Sequence, residues 1–137
     1  MKSKNSARCL AVTLFVLFLG VSCASGSAVI PEDLTPMQLI QRGQEASSQN
    51  RFSLALRHYH ALIERFPDNI YFICAAEYEI AFIYYRRGNL EEARIRFNNL
   101  LARYDHPDAE LLPPQFRVLS EIVLARITEA ENNRRRR

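Results

Sequence analysis

The chain has 137 residues, 48% of them hydrophobic and 24% charged, with a formal net charge of +3. That length allows one small domain and no more. The positive charge belongs to the two ends, Lys2, Lys4 and Arg8 at the front and Arg134 to Arg137 at the back. Residues 23–133 are net negative, which argues against nucleic-acid binding by the fold.

Residues 1–22 read as an export signal. Lys2, Lys4 and Arg8 make a positive start, and an uncharged run follows from Cys9 to Val21. A membrane-spanning helix needs ~20 apolar residues, so this shorter run suits a signal-peptide core instead. The exit reads Leu19-Gly20-Val21-Ser22-Cys23-Ala24-Ser25-Gly26-Ser27. A small residue before a cysteine, directly after the apolar run, resembles the lipobox of bacterial lipoproteins. Ser22 and Cys23 match it. Gly20 stands where that family usually has leucine, and Leu19 lies one place earlier. The resemblance implies that the signal is cut before Cys23 and that the cysteine is acylated. Residues 23–34 are then a lipidated N-terminus and a flexible tether. Ordinary cleavage after Ala24 or Ala28 is the alternative, and it gives a soluble secreted protein. Lipoproteins retained at the inner membrane of some bacteria carry an aspartate after the cysteine. Ala24 stands there instead, which favours the outer membrane.

The folded part is expected over residues 35–131. Thr35 and Pro36 supply a capping side chain and a proline at the first helical position, so a first helix runs from there to about Gln49, with Asn50 closing it. A second takes Arg51 or Phe52 to Phe66 and is stopped by Pro67. The third, Ile70 to Arg87, is ended by Gly88 in a left-handed cap. Asn89, with Glu92 three places on, caps a fourth helix from Leu90 to Tyr104. A fifth covers 114–131, with Phe116, Leu119, Ile122, Val123 and Ile127 as its inward stripe. Residues 132–137 read as a frayed arginine-rich tail, solvated or attracted to an anionic surface.

The second and fourth helices repeat one another. Phe52, Ala55, Tyr59, Leu62, Ile63 and Phe66 recur, at one constant interval, as Leu90, Ala93, Phe97, Leu100, Leu101 and Tyr104. The offsets within each set are those of one helical face. Small residues recur at the same interval in the first and third helices, as Gly43 and Ala81. These positions resemble the tetratricopeptide repeats, with Pro67 at the place of the family's closing proline. The resemblance implies an all-α, short right-handed α-solenoid. It would hold two helical hairpins, about 36–69 and 74–107, with the fifth helix as a cap. The lengthened repeat and the export signal together resemble the tetratricopeptide lipoproteins of bacterial envelopes. Those include the outer-membrane β-barrel assembly lipoprotein and periplasmic proteins linked to peptidoglycan synthesis.

In that family the first helix of each pair lines a concave groove that holds peptides. Carried over, the groove positions are Ile40, Gln44, Ser47 and Ser48, then Tyr78, Phe82, Tyr85 and Arg86. Tyr78, Phe82, Tyr85, Arg86 and Gln44 are the candidate partner-binding residues, and the same aromatics could equally serve as core. The expected partners are an envelope protein or peptide and, through the anchor, the membrane. Self-association is a further option for so short a solenoid. No cofactor, metal or catalytic set is expected. His58 and His60 diverge on a helix, Cys74 is most simply a small apolar residue, and no nucleophile–base pair can be assembled. The expected function is a lipid-anchored adaptor, or alternatively an accessory subunit of an envelope assembly complex.

Overall fold

The computed structural model describes residues 29–136. The expected export signal and the expected lipidation of Cys23 therefore lie outside the described residues. Five α-helices follow in order: α1 (Pro36–Ser48), α2 (Phe52–Arg65), α3 (Ile70–Arg86), α4 (Leu90–Ala102) and α5 (Pro114–Arg135). Two 3₁₀ turns, Arg103–Asp105 and Pro107–Leu111, separate α4 from α5. There is no strand among the described residues. Each helix packs on its neighbour in sequence, and α1 and α5 both reach α3. That pattern of next and next-but-one contacts is an all-α helical solenoid.

Local chemistry sets the ends of the helices. Thr35 accepts from the Gln38 amide at 3.3 Å, and the Gln38 side chain accepts from the Thr35 amide at 2.9 Å, closing a reciprocal capping box ahead of Pro36. α1 ends in a Schellman turn. The Asn50 amide donates to Ser47 O and the Arg51 amide to Ala46 O, both at 2.9 Å. α3 ends in the same way, with Gly88 donating to Tyr85 O and Asn89 to Tyr84 O. The residue that must turn left-handed is Asn50 in one copy (φ 58°) and Gly88 in the other (φ 75°).

The internal echo is a burial pattern as well. Ala55, Tyr59 and Leu62 are buried, as are Ala93, Phe97 and Leu100, while the other three pairs of the echo are half-buried in both copies. α3 carries seven buried residues and packs on all four other helices. This is why its sequence is apolar almost all round. One buried cluster joins α1, α2 and α3. A second joins Ala81, Ala93 and Phe97 to Val123 and Ile127 of α5, and Tyr78 and Tyr84 touch both clusters.

The close crossing in the first hairpin depends on Gly43. A Cβ there would run into Cε1 of the buried Tyr59 ring and stand 2.7 Å from its Cζ. The glycine thus lets α1 lie directly against an aromatic that has no free space to move into.

Two boundaries and one face differ most from the sequence expectation. α4 stops at Ala102 and continues as a 3₁₀ turn through Tyr104. The Tyr104 hydroxyl donates to Pro113 O at 2.7 Å, drawing the chain back to start α5. α5 runs on to Arg135, so the tail at 132–135 is helical, with two arginines complementing the negative helix end. The inward stripe of α5 is Phe116, Ser120, Val123 and Ile127, spaced 4, 3 and 4. Leu119 and Ile122, expected in that stripe, are 40% and 44% exposed. Ser120 takes the inward place because its hydroxyl donates to Phe116 O at 2.6 Å and needs no other partner. A small residue at this place makes α5 resemble α1 and α3, which carry Gly43 and Ala81 there.

Candidate functional site

The face built by α1, α3 and α5 holds the candidate partner-binding residues. On α3, Tyr78, Phe82 and Tyr85 are all half-buried, which makes them part wall and part surface. The Tyr78 and Phe82 rings stack with centroids 5.9 Å apart and planes at 12°, and Tyr85 follows Phe82 at 5.8 Å. The three rings form a continuous aromatic row along the helix. Its first member is tied most deeply into the fold. Tyr78 also meets Phe97 of α4 at 5.7 Å and Phe116 of α5 at 6.0 Å. Burial raises the Tyr78 phenol pKa, with the Glu79 carboxylate adding to the effect.

Gln44 and Arg86 are exposed, and both make hydrogen bonds within the fold. Gln44 Nε2 on α1 donates to Glu79 Oε1 on α3 at 2.9 Å. Arg86 Nη1 donates to Ser47 O at 2.9 Å and to Ser47 Oγ at 3.0 Å, while Nη2 donates to Asn50 Oδ1 at 2.9 Å. Its guanidinium also lies 5.0 Å from the centre of the Phe52 ring. Arg86 therefore satisfies orphan acceptors at the end of α1 and fixes how the two hairpins sit against each other. Of the remaining groove positions, Ile40 and Ser47 are buried and Ser48 is exposed.

Glu79 is not among the sequence candidates, yet it lies beneath the groove. Burial raises its pKa, and the Gln44 hydrogen bond and the Arg86 charge only partly oppose that rise. The Tyr59 hydroxyl is buried without a hydrogen bond of normal geometry, and its pKa is raised by burial and then by the nearby Glu79 charge. The sequence signal for Glu79 is its place one residue after Tyr78, on a helix whose one other acid is Glu77.

On the other face, Glu77 takes a bidentate bond from Arg103, at 2.8 and 2.6 Å, beside a cleft of about 480 Å³. The pairing raises the pKa of Arg103 and ties both charges to one another. Cys74 is fully buried, and burial pushes its thiol pKa up. His58 is buried and His60 exposed, so the two do diverge. Among the described residues no group of three or more His, Cys, Asp or Glu side chains is placed to hold a metal ion. No helix of the described residues is long and apolar enough to cross a membrane.

Comparison with known proteins bears on the second hairpin most directly. Residues 75–106, spanning α3 and α4, match the family model of the tetratricopeptide repeat. Such repeats are generally non-catalytic modules of protein–protein interaction. The chain is also similar to an uncharacterized protein of Treponema pallidum (strain Nichols), 30% identical over 119 residues. The alignment takes in 85% of this chain and 48% of that protein, so the chain spans about half the length of the curated relative it matches. No solved structure matches the chain significantly.

Proposed function

We propose that the protein is a lipid-anchored interaction module of the bacterial cell envelope, acting as an adaptor that holds a protein segment against α3. The observation that carries this reading is the aromatic row of Tyr78, Phe82 and Tyr85, whose rings stack along a face shared with α1 and α5. Half-buried aromatics held rigid from behind lose little side-chain freedom when a partner covers them. Gln44 and Arg86 rim the row with an amide and a charge, enough to orient the main chain of an extended peptide, above the half-buried Glu79. In this reading Cys23 bears the acyl anchor, and the short stretch ahead of Ile30 gives the module reach from the membrane, because Arg65 holds Ile30 and Pro31 and Leu34 is buried. Ala24 in place of aspartate supports the outer membrane as its site.

The test is site-specific photocrosslinking from Ser48, an exposed groove position on α1, in intact cells, together with Phe82→Ser and Tyr85→Ala. A protein adduct that both substitutions weaken, at an unchanged melting temperature, supports the groove. Adduct formation indifferent to both sinks it. Tyr78 is a poor probe here because it also packs on Phe97 and Phe116. For the anchor, Cys23→Ser should release the protein from membranes, and mass spectrometry of the wild-type N-terminus should find an acylated cysteine. A free Ala24 or Val29 terminus would show a soluble module instead. The second reading, an accessory subunit, is favoured by the apolar side chains Val118, Leu119 and Ile122 exposed on α5. A stoichiometric complex resistant to competing peptide would select it.

A further inference from the structure

The end of the solenoid that holds the turns between α1 and α2 and between α3 and α4 carries an arginine-lined cleft. It measures about 370 Å³ and is lined by Arg51, Arg57 and Arg87, together with Asn50, Phe52 and Ser53 among others. No carboxylate of the described residues lines it. Four arginines of this fold are paired with acids: Arg94 with Glu131, Arg96 with Glu92, Arg103 with Glu77 and Arg117 with Glu121. Arg51, Arg57 and Arg87 have no such ion pair among the described residues. Arg57 Nε is moreover buried without a hydrogen-bond partner, an arrangement that costs stability while it persists.

The backbone adds to the same field. α2 begins at this cleft, and its capping residue is Arg51, whose side chain makes no capping bond. The amides of Phe52 and Ser53 therefore have no acceptor inside the helix. α4 begins differently, with a side-chain cap from Asn89 and both Glu91 and Glu92 in its first turn. The first turn of α2 has no acid at all. Arg86, at the same end, gives its hydrogen bonds to neutral oxygens and leaves its charge in place. Beyond Lys4 the chain uses arginine and no lysine, and the planar fork of arginine fits oxyanions.

We propose that this cleft binds a phosphate group, carried by a small phosphorylated molecule or by a lipid headgroup. Three arginines and the first two residues of α2, whose amides lack an acceptor in the helix, line this one cleft. A carboxylate is satisfied by one fork, whereas a tetrahedral phosphate offers acceptors toward several donors at once. The volume leaves room for a small group attached to the phosphate. The site lies at the turn end, apart from the aromatic row, and stands independently of the adaptor reading.

The experiment uses the full chain in nonionic detergent, titrated calorimetrically with inorganic phosphate at constant ionic strength. Saturable binding is expected, weakened about tenfold or more in Arg57→Gln and in Arg51→Gln, and unchanged in Arg117→Gln, whose guanidinium is held by Glu121. Arg51 is exposed, so its variant reports even where Arg57→Gln disturbs folding. A second arm uses the Cys23→Ser chain, which has no acylation site at that position, and measures retention on phosphatidylcholine vesicles with and without phosphatidic acid. Retention that requires phosphatidic acid and is lost in Arg51→Gln assigns a lipid headgroup. Saturable phosphate binding without vesicle retention assigns a soluble phosphorylated molecule. Absence of both, or equal affinity in the arginine variants and the wild type, overturns the proposal.

Discussion

The two hairpins share one plan and fill it with different side chains. In the first, the tight crossing pairs Gly43 with Tyr59; in the second, the corresponding residues are Ala81 and Phe97, and the methyl group has room. The first turns on Asn50 and starts its second helix at an uncapped Arg51. The second turns on Gly88 and starts at Asn89, whose Oδ1 accepts from the Glu92 amide at 3.2 Å. The last turns differ too. Arg65 donates to Ile30 O and Pro31 O, holding the segment ahead of α1, while Arg103, its counterpart in the second copy, grips Glu77. A repeat is thus defined by where its small, bulky and left-handed positions fall, and each copy meets those demands as its neighbours allow.

The largest test of that equivalence is Phe97→Ala. Removing a fully buried aromatic costs about 3–5 kcal/mol, and Tyr59→Ala should cost a similar amount. Because α3 packs on all the other helices, each variant should still unfold in a single urea transition by circular dichroism. Two separate transitions would show that the hairpins fold independently.

Gly43→Ala comes next, with an expected loss of about 1–3 kcal/mol from overpacking against Tyr59. Helix propensity alone predicts the opposite sign, a gain of about 1 kcal/mol. A stabilised Gly43→Ala protein in the same urea assay would remove the argument for the close crossing. Gly88→Ala should cost about 1 kcal/mol because its φ of 75° disfavours a Cβ. Gly88→Asn, which copies the first hairpin, should lose less than Gly88→Ala. Arg51→Asn transfers the cap of the second hairpin to the first and should raise stability by about 0.5–1 kcal/mol, seen as a higher melting temperature.

The smallest effect concerns pH. The pKa of Glu79 is raised in the folded state, so the native protein binds more proton than the unfolded chain across the window just above the ordinary carboxylate range. Its contribution is therefore most favourable below the unfolded value and is lost as pH rises through the folded one. Glu79→Gln should flatten the dependence of urea midpoint on pH in that window. An unchanged slope would mean that Glu79 is as well solvated as a surface acid.

Much of this fold could be read along the chain because its determinants are local or periodic. Thr35-Pro36, Pro67 and Gly88 act within a turn or two of themselves, and the echo between the second and fourth helices needs only helical spacing. The register of α5 could not be read in the same way. Leu119 and Ile122 look like core by composition, whereas Ser120 looks like surface until its hydroxyl bonds to Phe116 O. The candidate groove was legible as an aromatic row with Gln44 and Arg86 beside it, but the bonds that fix those two side chains were not. Gln44 on α1 meets Glu79 on α3, and Arg86 reaches back across the same helices to Ser47. Such pairings depend on how hairpins stack, and no local pattern encodes them.

The Arg86 clasp also bears on the mechanics of the solenoid. Its acceptors are a carbonyl, a hydroxyl and an amide, none of which titrates where the protein stays folded. The joint between hairpins should keep its bending stiffness in acid and in brine. The joint between α4 and α5 is fastened instead by the half-exposed Arg94–Glu131 ion pair, which salt screens and acid discharges. Curvature should therefore soften from one end of the molecule only, with the aromatic row of α3 spanning the boundary between a stiff segment and a compliant one.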